Sequence, residues 1–182
     1  KQQDANSKDS YQKFLEMSLE LDDKFDLKEN RLFYLAMSPK FFGVATNHLK
    51  ESGLTNVKGL MRIIIEKPFG DDLKSAKKLN NQIRKSFKEE EIFRIDHYLG
   101  KEMVQNIESL RFGNTIFEPL WNNKYISNVQ ITLSETLGIE DRGQYYDSTG
   151  ALKDMVQNHA LQILTLIAME KPESRNSKDI RL

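Results

Sequence analysis

Apolar residues in this chain fall into short dense runs separated by charged stretches of helical period. Leu32-Phe33-Tyr34-Leu35-Ala36-Met37 is the longest uninterrupted run, rich in aromatics and closed by Ser38-Pro39, which predicts a buried strand. Leu60 to Lys67, with three successive isoleucines, and Ile92 to Ile95 predict two more. Helical spacing marks the stretches between and around them. Tyr11 to Leu21 carries Phe14, Leu15, Met17 and Leu21 on one stripe behind Asp9 and Ser10 as caps. Phe41 to Leu49 follows Pro39 at a first helical turn and ends at Gly53. A third helix, capped by Asp71 or Asp72, runs to about Lys88 on a stripe of Leu73, Ala76, Leu79, Ile83 and Phe87, with Lys85 to Glu91 as its exposed end. Strand, helix, strand, helix, strand with short links is the pattern of parallel βαβ units.

The rhythm changes near Asp96, the most defensible domain break. Lys101 to Leu110 predicts a helix and Ile116 to Trp121 a shorter one. Asn128 to Ser134 alternates Val129, Ile131 and Leu133 against polar neighbours, the pattern of a half-buried strand. A polar turn from Gly138 to Gly143 leads to Thr149-Gly150, and a long helix runs from Ala151 to about Met169, stopped by Pro172. Trp121, Phe112 and Phe117 read as core.

Composition narrows the classes. The 27 basic and 27 acidic side chains balance, which argues against a protein built to grip nucleic acid or an anionic membrane. Cysteine is absent, so disulfides, thiol nucleophiles and Cys-ligated metals are excluded. Three histidines leave little room for a His-based metal site, and none is expected. No apolar run reaches membrane length. The N-terminal stretch KQQDANSKDS is too polar for a signal peptide, so the expectation is a soluble, cytoplasmic protein.

Three constellations could carry chemistry. In RIDHYLGKE, Arg94 to Glu102, His97 and Lys101 are four apart and share a helix face beside the Tyr98 hydroxyl. A helix start with an ammonium, an imidazole and a phenol can cradle a phosphate monoester. The same residues could equally decorate an ordinary helix start. In EKPFG, Glu66 to Gly70, Lys67 stands at the carboxyl end of a strand of the parallel sheet, where ligands collect, or simply at a turn built by Pro68 and Gly70. In DMVQNH, Asp154 to His159, the histidine falls on an apolar stripe of Leu152, Met155, Val156, Ile163, Leu166 and Ile167. A buried imidazole is biased towards the neutral form a general base requires, though a lone histidine there can also be a satisfied core residue. Asp96 and Asp154 are the carboxylates by context that could orient it. Glu135 keeps the parity of Val129, Ile131 and Leu133, so it points to the covered side if the strand reaches it, where a carboxylate needs donors of the kind sugar hydroxyls supply, and to solvent otherwise. His48 reads as solvated.

EKPFG, RIDHYLGKE and ALKDMVQNH, in that order, resemble the glucose-6-phosphate dehydrogenase family, as do NRLFYLA, MVQNI, LRFGN, YYDSTGAL and AMEKPES. The resemblance runs through most of the chain. It implies hydride transfer from C1 of glucose 6-phosphate to NADP, giving 6-phosphogluconolactone, the first step of the pentose phosphate pathway. It implies His159 as the general base and Asp96 as the carboxylate holding it. His97, Tyr98 and Lys101 match the phosphate site, and Glu135 and Asp154 the carboxylates on sugar hydroxyls. Lys67 matches the lysine between sugar and nicotinamide, so it touches substrate and cofactor alike, with Pro68 at a hinge. The implied fold is α/β: residues 1–96 as the second half of a Rossmann-like doubly wound parallel sheet, and residues 97–182 as the start of an α+β substrate domain.

The family's N-terminal strand, Gly-rich turn and helix, which seat the pyrophosphate, have no counterpart here, nor does its long C-terminal part. The chain also begins at Lys1 rather than Met. It is therefore expected to be the middle of a longer enzyme, a homodimer or dimer of dimers when complete, and to be inactive alone. A second reading is a non-catalytic sugar-phosphate-binding module, which would have no need of His159 and Asp96.

Overall fold

The computed structural model describes residues 7–70, 72–136, 138–174 and 176–180. It divides into two compact units, Lys1–Ile95 and Asp96–Leu182.

In the first unit, helix α1 (Lys8–Phe25) precedes strand β1 (Arg31–Leu35), α2 (Phe42–Glu51), β2 (Met61–Glu66), α3 (Leu73–Ile83) and β3 (Ile92–Ile95). The three strands form one parallel sheet in the order β1-β2-β3. Its register explains the isoleucine run. Phe33 pairs with Ile63 and Ile63 with Ile92, and all three point into a core shared with Phe42, Ala45 and Leu49 of α2 and Ile83 of α3. Tyr34, Ile64 and Phe93 form the next row, on the opposite face. Leu32, Tyr34 and Phe93 remain 63%, 50% and 42% exposed there. The apolar run around Leu32 is thus buried on one face only, because the described residues cover one side of the sheet. Phe42 is fully buried.

Local chemistry sets the element ends. Asp72 caps α3 by accepting from the Ser75 amide, while the Ser75 hydroxyl accepts from the Asp72 amide. Asp71, the alternative cap, lies outside the described residues. Gly70, at φ +113°, makes the turn from β2; a Cβ there would stand 2.6 Å from the Ala76 amide nitrogen. The Lys67–Pro68 peptide between them is cis.

Several boundaries differ from expectation. Helix α1 starts at Lys8 with Ser7 at its N-cap, and α3 ends at Ile83 rather than near Lys88. After that end the chain turns inward to bury Phe87, and Glu89 pairs with Arg94, so Lys85 to Glu91 is not a simple exposed helix end. His48 is not a solvated tail residue either: its ring stands edge-on to Tyr11 at 5.1 Å, with Nδ1 buried.

Asp22 of α1 and Arg31 of β1 form a two-pronged ion pair, one arm at 2.7 Å, with both side chains nearly buried. The Arg31 guanidinium holds the Asp22 carboxyl below its ordinary value of 3.8. A depressed carboxyl contributes stability above its unfolded pKa and loses it as pH falls through the folded value. Asp22→Asn is therefore expected to lower the melting temperature at neutral pH and to flatten the loss of stability below about pH 4, read by thermal melts across pH. An unchanged acid limb would contradict this.

The second unit is mostly helical: α4 (Glu102–Phe112), α5 (Gly143–Ala151), a π-helical stretch Leu152–Ala160, α6 (Leu161–Ala168) and the short α7 (Ser177–Ile180). A 3₁₀ turn, Glu118–Leu120, stands where a helix was expected between Ile116 and Trp121. Arg111 of α4 is buried and donates to the carbonyls of Leu166 (2.5 Å) and Met169 (2.7 Å), closing the C-terminal end of α6. Trp121 Nε1 donates to Ile167 O at 2.9 Å beside it, whereas Phe117 is 42% exposed rather than core.

Residues 128–134 form no strand. Their alternation is still used, since Ile131 and Leu133 pack on a cluster of Tyr98, Val104 and Ile163, while Val129 stays half exposed. No strand among the described residues pairs with this segment, and backbone groups without a ladder partner are not held in a sheet.

The expected helix Ala151–Met169 is a composite. Gly150 breaks the preceding turn at φ 69° and ψ 167°, and α-helical hydrogen bonding resumes only at Leu161. Between them the Leu161 amide bonds to the Val156 carbonyl, five residues back. On an α-helix, positions five apart are about 1.4 turns apart and diverge. With five-residue bonding they return to nearly one side, and Asp154 and His159 are the two buried residues of the stretch. Leu152 and Val156, expected on the stripe, are 73% and 42% exposed.

Candidate active site

The site assembles on the second unit from two segments: the Asp96 to Lys101 turn ahead of α4, and the π-helical stretch. His159 is fully buried, and its Nδ1 lies 2.7 Å from Asp96 Oδ1. The same carboxylate oxygen accepts the Tyr98 amide at 2.9 Å, which fixes the turn beneath it. The Tyr98 ring stacks on the His159 imidazole, centroids 4.0 Å apart and planes 20° from parallel, and the His97 ring meets it edge-on at 4.8 Å. Imidazole orientation is therefore set from three sides. With Nδ1 turned to a carboxylate, a neutral ring carries its proton on Nδ1, and Nε2 is its basic nitrogen.

The cationic side lies next to it. Lys101 Nζ sits 3.7 Å from the centre of the Tyr98 ring and 3.4 Å from Glu135 Oε1, and the Tyr98 hydroxyl donates to that same oxygen. Burial pushes the Tyr98 phenol up to about 12, helped by the Glu135 carboxylate, so it remains a donor throughout the physiological range. Tyr98 and Lys101 in turn hold the Glu135 carboxyl below its ordinary value. Glu135 thus occupies two donors that can also serve an incoming phosphate.

Asp154 is buried and accepts from the Tyr145 hydroxyl at 3.2 Å. Glu135, Asp154, Tyr145, Tyr146, Leu133 and Met155 line a cavity of about 270 Å³, in which carboxylates face a partly apolar wall. Polar groups set on an apolar wall suit a polyhydroxylated ligand.

Of the residues singled out from sequence, Asp96, His97, Tyr98 and His159 lie in direct contact, and Lys101 and Glu135 join them through Tyr98. Asp154 borders the cavity with Glu135. Lys67 belongs to the first unit, at the carboxyl end of β2 and half-buried. Tyr145 is a member of the site that residue type does not single out; its signal is its place in YYDSTGAL, nine residues before Asp154. The five-residue helical turn had no signal in apolar spacing.

Two family models match: "Glucose-6-phosphate dehydrogenase, NAD binding domain" over residues 1–106, and "Glucose-6-phosphate dehydrogenase, C-terminal domain" over residues 108–182. The chain is 55% identical over 178 residues to glucose-6-phosphate 1-dehydrogenase of Bacillus subtilis, covering 98% of this chain and 36% of that protein. It is 53% identical to the enzyme of the same name from Leuconostoc mesenteroides, with 98% and 37% covered. A solved glucose-6-phosphate dehydrogenase in complex with its substrate glucose-6-phosphate superimposes with a TM-score of 0.90 at 43% identity, over 100% of this chain and 37% of that one. The Mycobacterium avium enzyme gives a TM-score of 0.78 at 40% identity, over 98% and 37%. The chain thus spans little more than a third of the length of the relatives it matches. Two family models that together take in almost every residue, and such identities over nearly the whole chain, leave no ambiguity: the chain belongs to the glucose-6-phosphate dehydrogenase family.

Proposed function

We propose that this chain supplies the sugar-phosphate site and the proton-accepting base of a glucose-6-phosphate 1-dehydrogenase, which oxidises C1 of glucose 6-phosphate to 6-phosphogluconolactone with NADP. The observation that carries the reading is the buried His159 imidazole against Asp96 at 2.7 Å, adjoining the donors Tyr98 and Lys101. His97, Tyr98 and Lys101 clamp the phosphate. Its oxygens take over the donors now engaged by Glu135, which turns to the sugar hydroxyls with Asp154. His159 accepts the C1 hydroxyl proton, and Asp96 stabilises the imidazolium that forms. Holding both ends of the substrate contributes through orientation, since it turns an encounter into a fixed geometry.

NADP supplies the hydride acceptor when bound. Lys67, at the carboxyl edge of the parallel sheet, is assigned to substrate and cofactor; that edge is where dinucleotides bind. The residues present fit one margin of such a site. The Gly-rich turn that seats a pyrophosphate is not among them, so the 182 residues alone are expected to be inactive. The same reading carries a cytoplasmic location and a homodimer or dimer of dimers for the complete enzyme. The balanced charge supplies no net attraction for nucleic acid or an anionic membrane, and no helix among the described residues is long and apolar enough to cross a membrane.

Calorimetry of the gene product that carries this chain tests the phosphate clamp. Lys101→Ala is expected to weaken glucose 6-phosphate by about ten- to hundredfold, the loss of one charge-assisted contact, and to leave the weak binding of unphosphorylated glucose unchanged. Equal losses for both sugars would remove Lys101 from the phosphate.

A further inference from the structure

We propose that Asp96, His97 and His159 form a binding site for a divalent transition-metal cation of the zinc class, and that occupancy of this site silences the imidazole the proposed reaction uses as its base. The first part stands on geometry alone; the second rests on the functional reading above.

One carboxylate oxygen and one nitrogen from each imidazole all lie within 4.8 Å of one another. Among the described residues no other group of three His, Cys, Asp or Glu comes together in this way. Tetrahedral ligands at about 2.0–2.1 Å stand about 3.4 Å apart, so no pair of the three donor atoms has more than about 1.4 Å to close, and the His97 ring is exposed and able to move. The second observation is an unspent acceptor. Asp96 Oδ1 lies 2.7 Å from His159 Nδ1 and accepts the Tyr98 amide, whereas the buried Oδ2 has no hydrogen-bond partner among the described residues. The Asp96 side chain is only 10% exposed. A buried carboxylate oxygen left without a donor is costly, and a cation satisfies it.

The donor set selects the metal. Two imidazoles and one carboxylate suit Zn²⁺, Co²⁺, Ni²⁺ or Cu²⁺, while Mg²⁺ and Ca²⁺ want oxygen ligands in larger number. Three protein ligands leave a position for water. Lys101 is the nearby charge opposing a cation, and its contact with Glu135 at 3.4 Å offsets part of that field. A metal ion shared with Asp96 sits on the His159 nitrogen that faces that carboxylate, and a neutral ring then carries its one proton on Nε2, the nitrogen that would otherwise accept. Bound cation and proton acceptance are therefore mutually exclusive at this ring, and no bond to substrate is required for inhibition.

The test uses untagged gene product carrying this chain, in buffer free of phosphate and chelators, titrated with Co²⁺ and followed by visible absorption. The expected result is a saturable spectrum at one Co²⁺ per chain, abolished by Zn²⁺. His97→Gln, a change at an exposed side chain that leaves folding intact by circular dichroism, is expected to weaken Co²⁺ by about tenfold or more. Absence of a saturable spectrum at millimolar Co²⁺, or the same affinity in His97→Gln, overturns the site. With the site established, Zn²⁺ is expected to stop cofactor reduction and EDTA to restore it. Full turnover with Zn²⁺ bound overturns the silencing. A protein that binds Co²⁺ but never reduces NADP keeps the metal site and removes the dehydrogenase reading, so the two fail separately.

Discussion

Replacing His159 by Asn is expected to lower turnover of the complete gene product by about 10²–10⁴-fold, the usual worth of a positioned general base. The residue is chosen by three constraints acting together. It is fully buried, its Nδ1 is held 2.7 Å from Asp96, and Tyr98 stacks on it at 4.0 Å. Such a ring cannot turn away, so the direction of Nε2 is fixed. Asparagine keeps a polar group of similar reach towards Asp96 and loses basicity. The proposed contacts to the phosphate and the sugar hydroxyls belong to other side chains, so glucose 6-phosphate affinity should stay within about threefold, the pattern of a group acting in the transition state. Steady-state kinetics and calorimetry on the two proteins check both halves. Turnover within tenfold of the parent would mean that another group takes the proton.

Phe42→Ala is expected to cost about 3–5 kcal/mol of stability, read from urea denaturation as a lower midpoint at unchanged slope. Phe42 has no exposed surface and packs in the cluster that contains Phe33, Leu35, Ile63 and Ile65. Elements on either side of it are rigid βαβ parts, which cannot collapse into the space its ring leaves. Leu32 is the internal comparison. It stands on the open face of β1, 63% exposed, and Leu32→Ala should change stability by about 0.5 kcal/mol or less. A larger effect at Leu32 than at Phe42 would place the core on the wrong face of the sheet.

The contrast between these two positions shows what could be read from the chain and what could not. Dense runs at Leu32 to Met37 and Leu60 to Lys67 specify strands because β-branched and aromatic residues suit a pleated surface. The linking helices follow from spacing, and the short links leave a parallel sheet as the outcome. Which face is covered is not local information, and Leu32 and Phe33 look alike in the sequence. Asn128 to Ser134 has the alternation of a strand, yet a strand needs a neighbour, and pattern alone does not supply one. His159 was legible as a buried histidine, but for the wrong geometric reason. An apolar stripe of 3.6-residue period includes Leu152 and Val156, whereas the five-residue turn buries Asp154 and His159 and leaves Leu152 and Val156 exposed. Asp96, His97, Tyr98 and Lys101 were legible as a group because one short turn holds them all. Glu135 was not: it comes to Tyr98 and Lys101 from a segment more than thirty residues later, and parity in an absent strand does not locate it. Tyr145 carried no chemistry of its own until Asp154 was seen to be buried beside it.

The most direct measurement is reduction of NADP by the gene product carrying this chain, followed by nicotinamide absorbance, with glucose 6-phosphate beside glucose. The account predicts reduction that saturates with glucose 6-phosphate and is far weaker with glucose. Tight binding of glucose 6-phosphate with no reduction of NADP would contradict it and leave a sugar-phosphate-binding module in its place.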